Sequence, residues 1–165
     1  MHTVAESIDR LNRWIGFLLA PIIAILTLVI VYDIGVRFVI GRPSDWAFDI
    51  SKQLFAAHFM LLAAYGLYAR AHVEVDVLKD LGSKKTQAWL DILGYLIFFV
   101  PFMAIYLSYT WSFAWRSWTR GETTYGVVSI PIYPLKMIMV ISGVILSLQA
   151  LAIVLRAISR LREEE

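Results

Sequence analysis

The chain has 165 residues, of which 59% are hydrophobic and 17% are charged, with a mean hydropathy of +0.68, a net charge of +2 and no cysteine. Soluble domains usually carry about 25% charged residues, so this composition argues against a soluble enzyme and favours a membrane protein. The lack of cysteine excludes disulfides and thiolate metal sites, and the small net charge does not indicate binding to nucleic acid.

Four stretches without a charged residue occupy most of the chain: residues 15–32, 53–69, 92–115 and 137–155. A helix needs about 20 mostly apolar residues to cross a bilayer, and these stretches lack the alternation of barrel strands. They predict an all-α polytopic membrane protein, a single four-helix domain over residues 1–165. The spans are predicted near residues 14–38, 46–69, 90–116 and 132–156. A soluble bundle is excluded, because so small a chain cannot cover four helices that are apolar on nearly every face.

The charges outside these stretches predict the orientation of the chain. The two tails and the middle connection hold the larger share of the 15 Lys and Arg residues. Cytoplasmic loops carry this excess, so we expect both termini inside. The polar start of the chain is followed by an apolar run too long for a signal peptide, which predicts a retained first helix.

The first span ends with a candidate intrahelical ion pair, Asp33 and Arg37, four residues apart. That spacing places both side chains on one helix face and lowers the cost of charge at membrane depth. An ion or substrate relay is one interpretation. The position at the helix end favours the other, a structural pair near the lipid headgroups.

The second span begins with a polar and aromatic patch that includes Trp46, Asp49, Lys52 and Gln53. Catalysis would need a second carboxylate or base converging here, and the sequence offers none. A contact surface for a neighbouring subunit is the better interpretation.

The second span also contains His58, which lies 14 residues before His72, the spacing of haem ligands in cytochrome b bundles. Two haems need four ligands, whereas the chain has three histidines. We therefore expect a hydrogen-bonded intramembrane His58 and a loop His72.

The last two spans carry stripes that predict packing faces. An aromatic stripe on the third span comprises Tyr95, Phe99, Phe102, Tyr106, Tyr109 and Phe113, and a small-residue stripe on the fourth comprises Gly143, Ser147, Ala150 and Ala157. Small residues allow helices to approach closely in lipid. Lys136, near the start of the fourth span, is expected to reach the outer surface or to pair with Asp45 or Asp49.

The functional classes can be ranked by the features that the spans lack. The sequence shows no mid-membrane acidic residue, interrupted span or inverted repeat, which are typical of an autonomous ion-coupled transporter. An accessory subunit of a transporter therefore comes first, ahead of a membrane anchor for a redox complex with haem or quinone. An autonomous small transporter comes last.

The order of these features resembles the small membrane subunit of TRAP (tripartite ATP-independent periplasmic) transporters, the DctQ-like family. The family's Trp–acidic start of helix two is similar to WAFD at residues 46–49, and its His-x-x-x-Asp segment is similar to YGLYARAHVEVDVL at residues 65–78. The start of the last span, SIPIYPLK at residues 129–136, is similar to the branch that includes mannitol and chloroaromatic systems. The chain departs from the family at Asp49, where Glu is common, and at Glu74, where a basic residue is frequent.

The resemblance implies a scaffold subunit, not an enzyme, of a sodium-coupled transporter for organic acids in a bacterial or archaeal cytoplasmic membrane. Its implied partners are a large membrane subunit, a periplasmic substrate-binding protein and membrane lipids. No cofactor is expected on this chain, and sodium would bind the large subunit. The candidate interface with the large subunit comprises Trp46, Asp49, Gln53, His58 and Lys136. The candidate docking surface for the binding protein comprises Arg42, Asp45, Arg116, Arg120 and Glu122.

Overall fold

A computed structural model describes residues 2–69 and 84–163, and its named elements are all helical. The elements are α1 (His2–Ile40), α2 (Ala47–Tyr68), α3 (Lys84–Gly94), a π-helical turn (Tyr95–Phe99), α4 (Val100–Arg120) and α5 (Tyr133–Glu163). The all-helical prediction is confirmed. His72 and the remainder of the His-x-x-x-Asp segment, residues 70–78, lie outside the described residues.

The helices α1 and α2 pack antiparallel, and contacts at both ends define their register. At one end Arg13 donates a hydrogen bond to the Tyr68 hydroxyl at 3.1 Å. Close by, a Cβ at Gly16 would stand only 2.6 Å from the Tyr65 ring, so α2 approaches the backbone of α1 closely. At the other end the rings of Tyr32 and Trp46 stack with their centroids 5.5 Å apart.

Lys84–Gly94, the π-helical turn and Val100–Arg120 form one continuous helix, and the position of Pro101 explains its irregular turn. Proline has no amide hydrogen, and its ring clashes with the carbonyl of the residue four positions earlier. The π-helical turn, Tyr95–Phe99, ends two residues before this proline and accommodates the missing bond. Pro21 lies within α1 without ending it.

The last helix, α5, lies at the centre of the bundle, where it contacts α1, α2, α3 and α4. Its small residues allow this, as the sequence predicts: a Cβ at Gly143 would stand 2.8 Å from Tyr106 and 2.9 Å from Leu107 of α4. Further along, Ala150 and Ala157 are buried. Because α1 and α5 are also antiparallel, the described ends of the chain lie at one end of the bundle.

The aromatic stripe of the third span does not pack as a single seam. Tyr106 is half-buried against α5, whereas Phe102 and Tyr109 on the same helix are 64% and 76% exposed. The buried residues of α4 are instead mostly small, namely Met103, Thr110, Ala114 and Ser117. Small side chains bring the two helices together, and the larger rings are left for lipid or another chain.

Among the described residues, three helical stretches are long and apolar enough to cross a membrane: Val4–Ile40, Lys85–Arg120 and Tyr133–Leu161. They correspond to the first, third and fourth predicted spans. The helix α2 forms as predicted but falls short in apolarity, because Lys52, Gln53 and His58 lie within it. Many large apolar side chains of the three stretches are exposed, which suits contact with lipid or with another membrane chain.

Candidate functional site

Two groups of polar residues lie at opposite ends of the bundle. The terminal end, where α1 begins and α5 finishes, contains a buried interhelical network. The loop end, formed by residues 41–46 and 121–132, contains ion pairs and a short hairpin.

The network at the terminal end links α1 to α5 and includes two fully buried amides, Asn12 and Gln149. Asn12 Nδ2 donates to Gln149 Oε1 at 2.7 Å, and Gln149 Nε2 donates to Asp9 Oδ1 at 3.1 Å. The guanidinium of Arg156 forms a salt bridge with the other Asp9 oxygen. Hydrogen bonds of this kind hold helices together inside membranes, where an unpaired polar group is costly.

The sequence analysis missed this network, because its members are far apart in the chain. One signal was available: Gln149 is the one amide side chain in the uncharged run 137–155. A strongly polar residue in such a run indicates an interhelical partner. The identity of the partner depends on how α1 and α5 pack, which the sequence does not give.

At the loop end, Asp33 closes the connection between α1 and α2. Its Oδ1 atom accepts hydrogen bonds from the backbone amide and the hydroxyl of Ser44, at 2.9 and 2.7 Å. The predicted partner, Arg37, lies further away, with Nη2 at 3.6 Å from Oδ2. Asp33 therefore serves first to fix the turn and second to pair with Arg37.

Lys136 is paired differently from the prediction. Its ammonium lies 2.6 Å from Glu122 Oε2 and 4.0 Å from the centroid of the Phe113 ring, and its side chain is 13% exposed. The predicted partners Asp45 and Asp49 are therefore wrong, and Asp49 instead pairs with Lys52 at 2.8 Å on its own helix. The reason is that residues 121–132 fold back and bring Glu122 to the start of α5.

A short hairpin positions Glu122. Gly121 ends α4 in the left-handed conformation, with φ of 57°, and allows the chain to reverse. Thr124 and Ile132 then donate backbone hydrogen bonds to the Ile130 and Glu122 carbonyls, at 2.8 and 3.0 Å. Because the Lys136 ammonium donates to the Glu122 carboxylate, the pKa of Glu122 is lowered from its ordinary value of 4.5.

The hairpin also covers the start of α2. A Cβ at Gly126 would stand 2.8 Å from Asp49 Oδ2, so the Asp49 carboxylate lies directly against the hairpin. Trp46, which the sequence placed in the same patch, stacks on Tyr32 instead. The candidate interface residues Trp46, Asp49 and Lys136 thus lie at the loop end, each engaged by a partner within the chain.

The two other candidate interface residues, Gln53 and His58, are half-buried on α2. Gln53 Nε2 and His58 Nδ1 are themselves buried and have no hydrogen-bond partner among the described residues. Of the candidate docking residues, Arg42, Asp45, Arg116 and Arg120 are exposed, whereas Glu122 is half-buried.

The polar groups at both ends connect helices and turns. In residues 2–69 and 84–163, no group of three or more His, Cys, Asp or Glu side chains is placed to hold a metal ion. The arrangement defines a helical membrane protein with broad apolar outer faces.

The family follows from comparison with known proteins. The family model for the DctQ component of tripartite ATP-independent periplasmic transporters matches residues 26–160, and the chain belongs to this family. This is a family of transporter components and confirms the resemblance seen in the sequence. A comparison with curated proteins found no matching relative.

Proposed function

We propose that the chain is the small integral-membrane scaffold subunit of a sodium-coupled, binding-protein-dependent transporter for organic acids, in a bacterial or archaeal cytoplasmic membrane. It supports a large transport subunit and helps to dock a periplasmic binding protein. Membership of the DctQ component family carries this proposal. Sodium and substrate bind the large subunit, and this chain carries no cofactor.

The scaffold role is supported by the way the helices are locked to one another. The buried Asn12–Gln149 hydrogen bond joins α1 to α5, and the close contact at Gly143 joins α5 to α4. A support past which another subunit moves must keep its own helices fixed. A crosslink between this chain and the fixed part of the large subunit should therefore leave transport intact, and a crosslink that abolishes transport would contradict the proposal.

The interface with the large subunit is proposed to include α2 and the start of α5, through Trp46, Asp49, Gln53, His58 and Lys136. Gln53 and His58 support it as half-buried polar side chains on α2, because polar residues at membrane depth favour contact with protein over lipid. Replacing both residues with leucine should weaken retention of the large subunit. Ser108→Ala on α4, where the hydroxyl bonds only within its own helix, is the control. Equal retention in both variants would contradict the interface.

The membrane topology is proposed to have four spans, with α2 as the second and both termini inside. The 22 residues of α2 extend about 33 Å, enough for a hydrocarbon core of about 30 Å. The antiparallel packing of α2 on α1 and of α1 on α5 is consistent with an even number of crossings.

Single cysteines test this topology well, because the chain has none of its own. Tyr125→Cys should react with an impermeant maleimide added outside intact cells, and Phe59→Cys in α2 should be protected. Rapid labelling of Phe59→Cys from either side would contradict the second span.

The docking surface for the binding protein is proposed to lie at the loop end, with Arg42, Asp45, Arg116 and Arg120 providing exposed charges. Glu122 belongs to the same surface, but because it binds Lys136 it acts by fixing the hairpin. Charges on the rim of an interface mainly affect the association rate. Reversing the four exposed charges together should slow uptake at limiting binding protein, and an unchanged rate would contradict docking here.

A further inference from the structure

The turn between α1 and α2, residues 41–46, presents two charged side chains at the loop end. Arg42 and Asp45 are both exposed, and both belong to the proposed docking surface. They lie on irregular backbone between two helices. Such side chains keep a defined position only where the backbone of the turn is itself held.

The backbone is constrained on both sides of Arg42. The Gly41 amide donates to the Arg37 carbonyl at 3.0 Å, and Gly41 has a left-handed φ of 79°. A glycine in this conformation is a common end of a helix and lets the chain turn away from the helix axis. Pro43 follows, and its ring fixes φ on the other side of Arg42.

Asp33 holds the far side of the turn. Its Oδ1 atom accepts hydrogen bonds from the amide and the hydroxyl of Ser44, at 2.9 and 2.7 Å. Ser44 lies between Arg42 and Asp45 in the sequence, so the two bonds tie this part of the turn back to α1. Hydrogen bonds to a carboxylate are roughly twice as strong as those between neutral groups.

Asp33 is poorly placed to contact another protein directly. Its side chain is only 16% exposed, and its second oxygen, Oδ2, faces the Arg37 guanidinium at 3.6 Å. Both carboxylate oxygens are therefore engaged within the chain. Any effect of Asp33 on a partner must pass through the turn that it holds.

We propose that Asp33 is a positioning residue for docking of the periplasmic binding protein. By holding Ser44 it fixes the turn and keeps Arg42 and Asp45 in the arrangement that the binding protein meets. Groups that are fixed before contact lose less conformational freedom on binding, so the affinity rises without any new contact. The inference rests on the proposed docking surface and adds to it a residue that the partner does not touch.

The test measures binding of the purified binding protein to the full chain in its complex with the large subunit, held in lipid nanodiscs. We expect Asp33→Ala to raise the dissociation constant about fivefold, the effect of losing about one exposed ion pair. Asp33→Asn should stay within about twofold of the wild type, because its amide oxygen can still accept both Ser44 bonds. Ser108→Ala, whose hydroxyl bonds within α4, is the control and should leave binding unchanged.

A covalent link separates the shape of the turn from the carboxylate. The chain has no cysteine, so Asp33→Cys together with Ser44→Cys supplies its one pair of thiols. Before crosslinking, this variant should bind as weakly as Asp33→Ala. Joining the thiols with a short bis-methanethiosulfonate should restore the dissociation constant to within about twofold of the wild type. Because both measurements use one protein, recovery also shows that the variant is folded.

A neutralised turn provides a second check. In the background of Arg42→Gln with Asp45→Asn, Asp33→Ala should have little further effect, since the turn then carries no charges to position. A further loss in this background as large as in the wild type would overturn the positioning role.

Three other results would also overturn it. They are unchanged binding by Asp33→Ala, equal weakening by Asp33→Asn and Asp33→Ala, and no recovery on crosslinking.

Reversal of the four exposed docking charges separates this proposal from the one on which it rests. If that reversal weakens binding and Asp33→Ala does not, the positioning role alone is wrong. If neither change weakens binding, docking at the loop end is wrong, and the role of Asp33 with it.

Discussion

Gln149→Leu should destabilise the protein by disconnecting α1 from α5. Gln149 is fully buried, accepts a hydrogen bond from Asn12 and donates one to Asp9. Leucine has a similar size but makes neither bond. The substitution therefore removes two interhelical hydrogen bonds and leaves the packing nearly unchanged.

The partners that Asn12 and Asp9 keep after the substitution limit the loss of stability. Asn12 Nδ2 still bonds to the Ile8 carbonyl at 3.2 Å, and Asp9 still pairs with Arg156. Interhelical hydrogen bonds in membranes contribute about 0.6 kcal/mol on average and up to about 1.7 kcal/mol. Two of them give a loss of about 1–3 kcal/mol, a factor of about 5 to 150 in the unfolding equilibrium.

The assay is reversible unfolding of the full chain in mixed micelles with increasing SDS, followed by tryptophan fluorescence. Gln53→Leu is the matched control, since it makes the same replacement at a half-buried glutamine whose Nε2 has no partner. Its free energy of unfolding should match or exceed that of the wild type, because leucine removes a buried nitrogen that has no partner. If Gln149→Leu is as stable as wild type, or Gln53→Leu loses more than Gln149→Leu, the network does not hold α1 to α5.

Three further predictions concern the other contacts. Gly143→Ala should lower stability by about 1–3 kcal/mol in the same assay, because its Cβ would clash with Tyr106. The control Gly35→Ala, which has open space around it, should raise stability by up to about 1 kcal/mol. Equal effects of the two substitutions would contradict the close contact of α4 and α5. Ser44→Ala should lower the free energy of unfolding by about 1 kcal/mol, because it removes the hydroxyl bond to Asp33. Ser108→Ala, whose hydroxyl bonds within its own helix, is the control. No difference between the two variants would contradict the role of Asp33 in the turn. The pKa of Glu122 is lower in the folded than in the unfolded protein, so its contribution to stability is present above about pH 4.5 and is lost as the pH falls through the folded value. Protease cleavage of the hairpin should therefore rise with acid in the wild type and not in Lys136→Gln. The same acid dependence in both proteins would contradict the Glu122–Lys136 pair.

The helical architecture could be predicted because it depends on composition and run length. The runs 15–32, 92–115 and 137–155 are apolar enough that a membrane helix is the expected outcome. The run 53–69 is less apolar, because Gln53 and His58 lie within it and Lys52 directly precedes it. The π-helical turn could not be predicted in detail, because Pro101 requires a distortion but does not specify its form.

The polar contacts were harder to predict, because they depend on long-range geometry. Asp33 and Arg37 share a helix face, so their proximity follows from local spacing. The Glu122–Lys136 pair depends on a hairpin closed by the Thr124 amide, and the Asp9–Arg156 pair depends on the packing of the first helix on the last. Neither arrangement is visible in residue spacing.

The central claim is that this chain works as the small subunit of a larger transporter. The most direct measurement is purification of the tagged chain from its native membranes in mild detergent, with the retained partners identified by mass spectrometry. The account predicts one stoichiometric large membrane protein with many spans. Recovery of the chain alone, or with a haem or flavin protein, would contradict it.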